Sequence, residues 1–288
     1  MNYRHAYHAG NFADVVKHLT LVRTLIYMQR KDRPFRYIDT HAGSGHYRLD
    51  AAAAECTGEW REGIARLWQP RAHPPPPVFA LAEPYMSVIA SMNQDGELKL
   101  YPGSARFARD LMRPGSRMDL AELHPDDFST LKANLCNERR VKLHNCDGFA
   151  VLKSLLPVQE RRALVLVDPP YEAIDERRRI RDGLAAAFER AANTVALVWY
   201  PIKDQKPLAI WRRDMAELAA HHGLQSPLAV EIHLRPARNT RSLNGAGMLI
   251  FNPPYVLEQE LSTLLRSIGP ILAPPPLGLH LVERLDRL

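Results

Sequence analysis

Residues 163–171 read ALVLVDPPY. Five apolar residues without strict alternation suit a strand covered on both faces. The run stops at Asp168, because the prolines that follow cannot donate to a ladder. Similar runs recur on both sides. Upstream lie FRYID (35–39), RMDLAE (117–122) and VKLHN (141–145). Downstream lie TVALVWY (194–200), LAVEIHL (228–234) and GMLIFN (247–252). Helical patterns follow several of them, at DDFSTLKANL (126–135), FAVLKSLL (149–156), 175–193 and 205–222. Alternation of this kind predicts an α/β fold with a seven-stranded, doubly wound sheet. Ligands of such sheets sit beyond the carboxyl ends of the strands.

One connection is too long for a plain repeat. Residues 40–116 separate the first two strands, against roughly a dozen residues for an ordinary crossover. AECTGEWREGIARLW (54–68) and PYMSVIASMNQ (84–94) look helical, with a proline run at 74–77 between them. Residues 50–103 are therefore expected to form an inserted helical subdomain within a single domain spanning 1–288. A further helix is expected from Asn11 to about Arg30. Phe12, Val15, Val16, Leu19, Val22 and Ile26 share one arc, with Asn11 as N-cap and Asp14 in the first turn. Lys17 falls off that arc and reads as solvated, while His18 sits at its edge and reads as packed. Residues 1–10 read as a frayed arm.

Composition narrows the function classes. The formal net charge of +6 and pI near 9.3 lean toward polyanionic partners. The insert is an exception: residues 50–100 carry Arg61, Arg66, Arg71 and Lys99 against more numerous acids. The run Arg177-Arg178-Arg179 reads as a solvated helix face. No apolar stretch is long enough for a membrane span, and the polar start MNYRHAYHAGNF lacks a secretory signal. Cys56, Cys136 and Cys146 form no C-x-x-C, so a reducing cytoplasm is expected. No His or Cys spacing suggests a metal site, and a monomer is the default.

Four strand ends carry chemistry. After the first comes Asp39-Thr-His-Ala-Gly43-Ser-Gly45, a glycine turn that lets backbone approach a nucleotide-like ligand. The second ends in Glu122, placed to accept from ribose hydroxyls. The third leads into Asp147-Gly148, an acceptor for an adenine amine and a gap for the ring. The fourth ends in Asp168-Pro169-Pro170-Tyr171. In this order the four features point to an S-adenosylmethionine site beside a methyl-acceptor site.

A D/N-P-P-Y tetrapeptide suits methylation of a planar nitrogen. The N6 lone pair of adenine is delocalised, so the amine is a poor nucleophile. Asp168 and the carbonyl of Pro169 can hold its N–H groups and aim the lone pair. Tyr171 offers a face for a flipped base. A second copy, Asn252-Pro-Pro-Tyr255, follows the seventh strand. It is expected at the far edge of the sheet, as a strand stop.

Nearly the whole chain resembles the methyltransferase J family of bacterial large-subunit ribosomal RNA adenine-N6 methyltransferases. The resemblance is carried by YRHAYHAGNFADVVKH (3–18), YIDTHAGSGHY (37–47), YPGSARFARDL (101–111), LAELHPDD (120–127), CDGF (146–149), LVDPPYE (166–172) and WYP (199–201). It implies a Rossmann-like class I methyltransferase fold with a helical insertion and an N-terminal extension. It implies S-adenosylmethionine contacts from His18, His41, Ser104, Glu122, Asp147 and Gly148, beside Gly43 of the glycine turn. It makes Asp168 the proton acceptor, Tyr3, His5 and Lys17 contacts to the RNA, and 23S ribosomal RNA the substrate. The arm at 1–10 would then lie near the active site. The basic loop RPARNTRSLNG (235–245) either touches RNA or is solvated.

Three other readings stand beside this one. A DNA adenine-N6 methyltransferase would share the motif but needs a groove-reading surface, for which the acidic insert is the one candidate. A protein glutamine-N5 methyltransferase would need Asn252 as the working copy. An inert nucleic-acid-binding module would be expected to have lost Asp168, Gly43 or Gly45, all of which are present.

Overall fold

The computed structural model describes residues 4–68, 75–135, 138–236, 243–276 and 278–285. The chain runs α1 (Phe12–Met28), β1 (Arg36–Asp39), β2 (His46–Arg48), α2 (Ala52–Thr57), α3 (Ile64–Trp68), α4 (Pro76–Met92), β3 (Leu100–Pro102) and α5 (Ser104–Leu111). It continues with β4 (Arg117–Ala121), α6 (Pro125–Asn134), β5 (Val141–His144), α7 (Gly148–Leu155), β6 (Ala163–Val167) and α8 (Glu176–Arg190). Last come β7 (Val195–Ile202), α9 (Gln205–His221), β8 (Leu228–His233), β9 (Gly245–Phe251), α10 (Leu257–Leu272) and β10 (Leu279–Arg284). Short 3-10 turns stand at His5–Tyr7 and Glu59–Glu62.

The main sheet has the order β10-β8-β9-β7-β6-β1-β4-β5. Strands β7, β6, β1, β4 and β5 are parallel to their neighbours in that block. Strand β6 shows why its sequence does not alternate. Leu164 and Leu166 join the core beneath α1, α5 and α10, while Ala163, Val165 and Val167 join the core beneath α7, α8 and α9. Both faces are covered, so every position is apolar. The chain leaves β1 toward β4 and β5, then returns to β6 on the other side of β1. That reversal opens a crevice at the carboxyl ends of β1, β4 and β6.

Each of the seven strands read from the sequence is present, and two features differ. The sheet has eight strands, because β10 adds antiparallel to the outer edge of β8. Its sequence, LHLVER, is largely solvent-facing and carries no apolar run. Strand β9 is not at the far edge. It is inserted antiparallel between β7 and β8, so its carboxyl end lies at the amino ends of the parallel strands. A separate two-stranded sheet joins β2 to β3, each too short to leave a pattern.

Helices α2, α3 and α4 occupy the chain between β2 and β3, and α4 packs on α10, α1 and β3. Helix α1 starts at Asn11, whose side chain accepts from Asp14 N at 2.9 Å. Its apolar arc is buried except for the half-buried Ile26, and His18 is packed as expected, but Lys17 is buried too. The helix touches α4, α5, α10 and β9, and is therefore enclosed rather than laid on the surface. Among the described residues no helix is long and apolar enough to cross a membrane.

Candidate active site

A cavity of about 400 Å³ opens at the carboxyl ends of β1, β4, β5 and β6, within the range of small-molecule sites. Gly43 reaches it after β1, Glu122 after β4, Asp147 and Gly148 after β5, and Asp168 after β6. Helix α1 adds Lys17 and His18, the start of α5 adds Ser104, and His5 and His41 complete the group. The expected cofactor and RNA residues thus share one wall, with Tyr3 outside the described residues.

The glycine turn and Glu122 are built as one unit. Gly43 has φ +59, and a Cβ there would meet the Tyr47 hydroxyl at 2.1 Å. Its N–H donates to Glu122 Oε2 at 2.9 Å, and His124 N donates to Oε1 at 2.7 Å. Burial pushes the Glu122 pKa up, while these two N–H groups pull against it. Asp147 caps α7 by accepting from Phe149 N at 2.9 Å, and its other oxygen accepts from Arg179 at 2.6 Å. Arg179 belongs to the run that reads as a solvated face in sequence. It turns inward over the Phe149 ring, 5.3 Å from its centroid, and lines the cavity. Gly148 lines the cavity, and it is also required by packing: a Cβ there would meet the Thr40 carbonyl at 2.1 Å. The glycine lets α7 close onto the loop after β1.

Burial favours the neutral form of two cavity histidines, His18 and His41. Burial pushes His18 well below its ordinary value, with Lys17 acting in the same direction. Its ring packs on Phe107 at 5.0 Å, and Nδ1 pairs with the Tyr101 hydroxyl at 2.8 Å. Burial brings His41 down to about 4, and its Nδ1 pairs with Thr40 Oγ1 at 2.7 Å. Ser104 donates to Asp39 Oδ2 at 2.6 Å, where the Tyr37 hydroxyl also donates at 2.8 Å. Burial raises Asp39 to about 6, against these hydrogen bonds.

The largest departure from the sequence pattern is Lys17. Its side chain is 5% exposed, and Nζ bridges Asp168 Oδ2 at 2.5 Å and Asp14 Oδ1 at 2.7 Å. Burial disfavours the ammonium, but the Asp14 and Asp168 carboxylates outweigh it and raise its pKa. Burial pushes the Asp14 carboxyl up, and His5 and Lys17 overcome it and hold it well below the carboxylate range. His5 Nε2 lies 2.9 Å from Asp14 Oδ2. The arm is held from outside by Arg4, which pairs with Asp126 and Asp127 of α6. The sequence offers one clue to Asp14: it stands three residues before Lys17, on the same helix face.

Pro170 lines the cavity, whereas Pro169 and Tyr171 are not in its wall. Tyr171 has φ 54, donates from its hydroxyl to the Trp199 carbonyl at 2.8 Å and packs edge-on to Trp199. It anchors the loop in this arrangement instead of presenting a stacking face. Asn252 is remote. Its Nδ2 donates to the carbonyls of Ala192 and Thr194, ahead of β7, at 2.7 and 2.8 Å.

The family model described as "Ribosomal RNA large subunit methyltransferase D, RlmJ" matches residues 32–284. The chain belongs to this family. Methyltransferase J of Escherichia coli K12 is 37% identical over 278 residues, 96% of each chain. Methyltransferase J of Haemophilus influenzae is 36% identical over 284 residues, 98% of each chain. The crystal structure of protein LPL1258 from Legionella pneumophila superposes with a TM-score of 0.87 at 34% identity, covering 96% of this chain and 98% of that one. The family match begins at residue 32, beyond α1, so Lys17 and His18 lie outside the matched span. The two methyltransferase J relatives extend the likeness across nearly the full length.

Proposed function

We propose that this chain transfers a methyl group from S-adenosylmethionine to N6 of an adenine in 23S ribosomal RNA. One observation carries the reading. Asp168 stands at the end of β6, one carboxylate oxygen held by Lys17, beside a cavity that Glu122 and Asp147 share. The names of the relatives, large subunit ribosomal RNA methyltransferases, supply the substrate class.

The residues fit S-adenosylmethionine by their chemistry. Glu122 and Asp147, on consecutive strand ends, match a ribose diol and an adenine amine, and the wall carries more carboxylates than cations, which suits a sulfonium. When bound, the cofactor supplies an electrophilic methyl. His18, His41, Gly43, Ser104 and Gly148 would complete its seat. Asp168 Oδ1 is the oxygen left to accept one amine N–H of a flipped adenine, and the Pro169 carbonyl, set back from the cavity wall here, would accept the other once the base enters. That fixes the lone pair toward the methyl and excludes water from the reacting atoms. Once methylated, the nitrogen is strongly acidic, and Asp168 takes its proton. Lys17 keeps a positive charge against Asp168 throughout. His5 and Tyr3 would meet the RNA through phosphate contact and stacking, and Lys17, held between Asp14 and Asp168, would meet it only at the flipped base.

The test is transfer of labelled methyl to in-vitro-transcribed 23S ribosomal RNA, with digestion to nucleosides. Label is expected in N6-methyladenosine. Label in another nucleoside, or transfer to DNA or protein in place of RNA, would refute the reading.

A further inference from the structure

Asp14 is buried deeper in the site than any step of methyl transfer requires. Its side chain is 2% exposed. Oδ2 accepts from Gly10 N at 2.9 Å and faces His5 Nε2 at 2.9 Å, while Oδ1 takes Lys17 Nζ at 2.7 Å. Its own N–H is capped by Asn11. A carboxylate removed from water survives only when its lone pairs are filled in this way. The donors come from three separate pieces of chain: the arm (His5), the turn before α1 (Gly10) and α1 itself (Lys17). Two of them, His5 and Lys17, line the cavity, and Lys17 continues to Asp168.

We propose that Asp14 is a positioning residue for methyl transfer: it locks His5 and Lys17 into one buried group and, through Lys17, sets how Asp168 faces the acceptor amine. The inference rests on Asp168 being that acceptor. Asp14 touches neither reacting atom. It acts through a lysine whose other contact is the working carboxylate, so its loss leaves Lys17 and Asp168 paired but free to shift together. Misplacement of a reacting group by about 1 Å can cost roughly a hundredfold in rate.

Asp14→Asn tests this, because it keeps the size and an acceptor for Gly10 N while removing the charge. Cofactor affinity is expected to stay within about twofold and kcat to fall about ten- to hundredfold, with the RNA KM moving less. The pH profile separates positioning from a purely structural role. The groups facing Lys17 are Asp14, Asp168, His18 and the Tyr47 hydroxyl, with His5 on the far oxygen of Asp14. In the wild type both carboxylates hold the ammonium, so kcat should show no alkaline break below about pH 10, near the ordinary lysine value. In Asp14→Asn only Asp168 opposes desolvation, and a break should enter at about pH 8–10.

A wild-type break below that limit would overturn the proposal, however the variant folds. So would an Asp14→Asn enzyme with wild-type kcat and profile, or one that loses cofactor binding in step with activity. If the wild type makes no N6-methyladenosine, the reading of Asp168 fails and takes this inference with it. If Asp168→Ala abolishes transfer while Asp14→Asn does not impair it, the positioning role alone fails.

Discussion

The chain carries one tetrapeptide twice, and the two copies do opposite things. Asp168-Pro-Pro-Tyr171 ends a parallel strand and faces the cavity. Asn252-Pro-Pro-Tyr255 ends an antiparallel strand, so it emerges at the other end of the same sheet. Asp168 meets a buried lysine. Asn252 ties down the turn between α8 and β7 through two backbone carbonyls. Tyr171 is anchored on Trp199, while Tyr255 is 77% exposed and touches Tyr27 edge-on. Both copies place one non-glycine residue in the left-handed region, but at different positions: Tyr171 in the first, Asn252 in the second. The motif is thus a way to end a strand and turn sharply. On the proposed function, chemistry is added by strand direction and by what α1 brings to the carboxylate.

The contrast can be broken by substitution, and the effects should differ in kind. Asp168→Ala removes the acceptor and should lower kcat by about 10²–10⁴-fold, with cofactor binding, followed by calorimetry, largely kept. The next effect concerns the site end of the sheet. Asp39 is raised to about 6 by burial, against about 3.9 unfolded. Its contribution to stability is present in full below about pH 4 and is lost as pH rises through 6, by about 3 kcal/mol. His41, brought down to about 4, gains stability over the same range, so the loss is read as a difference: in urea unfolding the gap between wild type and Asp39→Asn should shift against the wild type by about 3 kcal/mol as pH rises from about 4 to 7. At the opposite end, Asn252→Ala removes two hydrogen bonds and leaves alanine at φ 49. Stability should fall by roughly 2–3 kcal/mol with kcat unchanged. Tyr255→Ala, at an exposed position, should stay within about 0.5 kcal/mol in the same assay.

Much of the fold was legible because burial leaves a trace in composition. The run 163–167 is apolar throughout because both faces of β6 are covered, and the glycine, Glu122, Asp147 and Asp168 appear at successive strand ends in chain order. Strand order in the antiparallel half left no such trace. β9 is as apolar as an internal strand must be, yet nothing in GMLIFN says which neighbours it has. β10 was invisible because an edge strand with one wet face needs no apolar run. At the site, the loops after the strands read well, since their residues act close to where they stand in sequence. Lys17 and Arg179 did not, because a charge off the apolar arc reads as solvated until its partner is known. One partner of Lys17, Asp14, stands on its own helix, but the other, Asp168, lies 151 residues downstream. Tyr171 departs from the expected stacking face for a related reason: its contact is the carbonyl of Trp199, on a neighbouring strand.

The central claim is that one copy of the tetrapeptide performs methyl transfer and the other only holds the fold. Single-turnover transfer from S-adenosylmethionine to 23S ribosomal RNA, run in parallel on Asp168→Ala and Asn252→Ala below their unfolding temperatures, tests it directly. The account predicts that Asp168→Ala loses transfer and Asn252→Ala keeps the wild-type rate. Transfer that survives in Asp168→Ala, or disappears in folded Asn252→Ala, would contradict it.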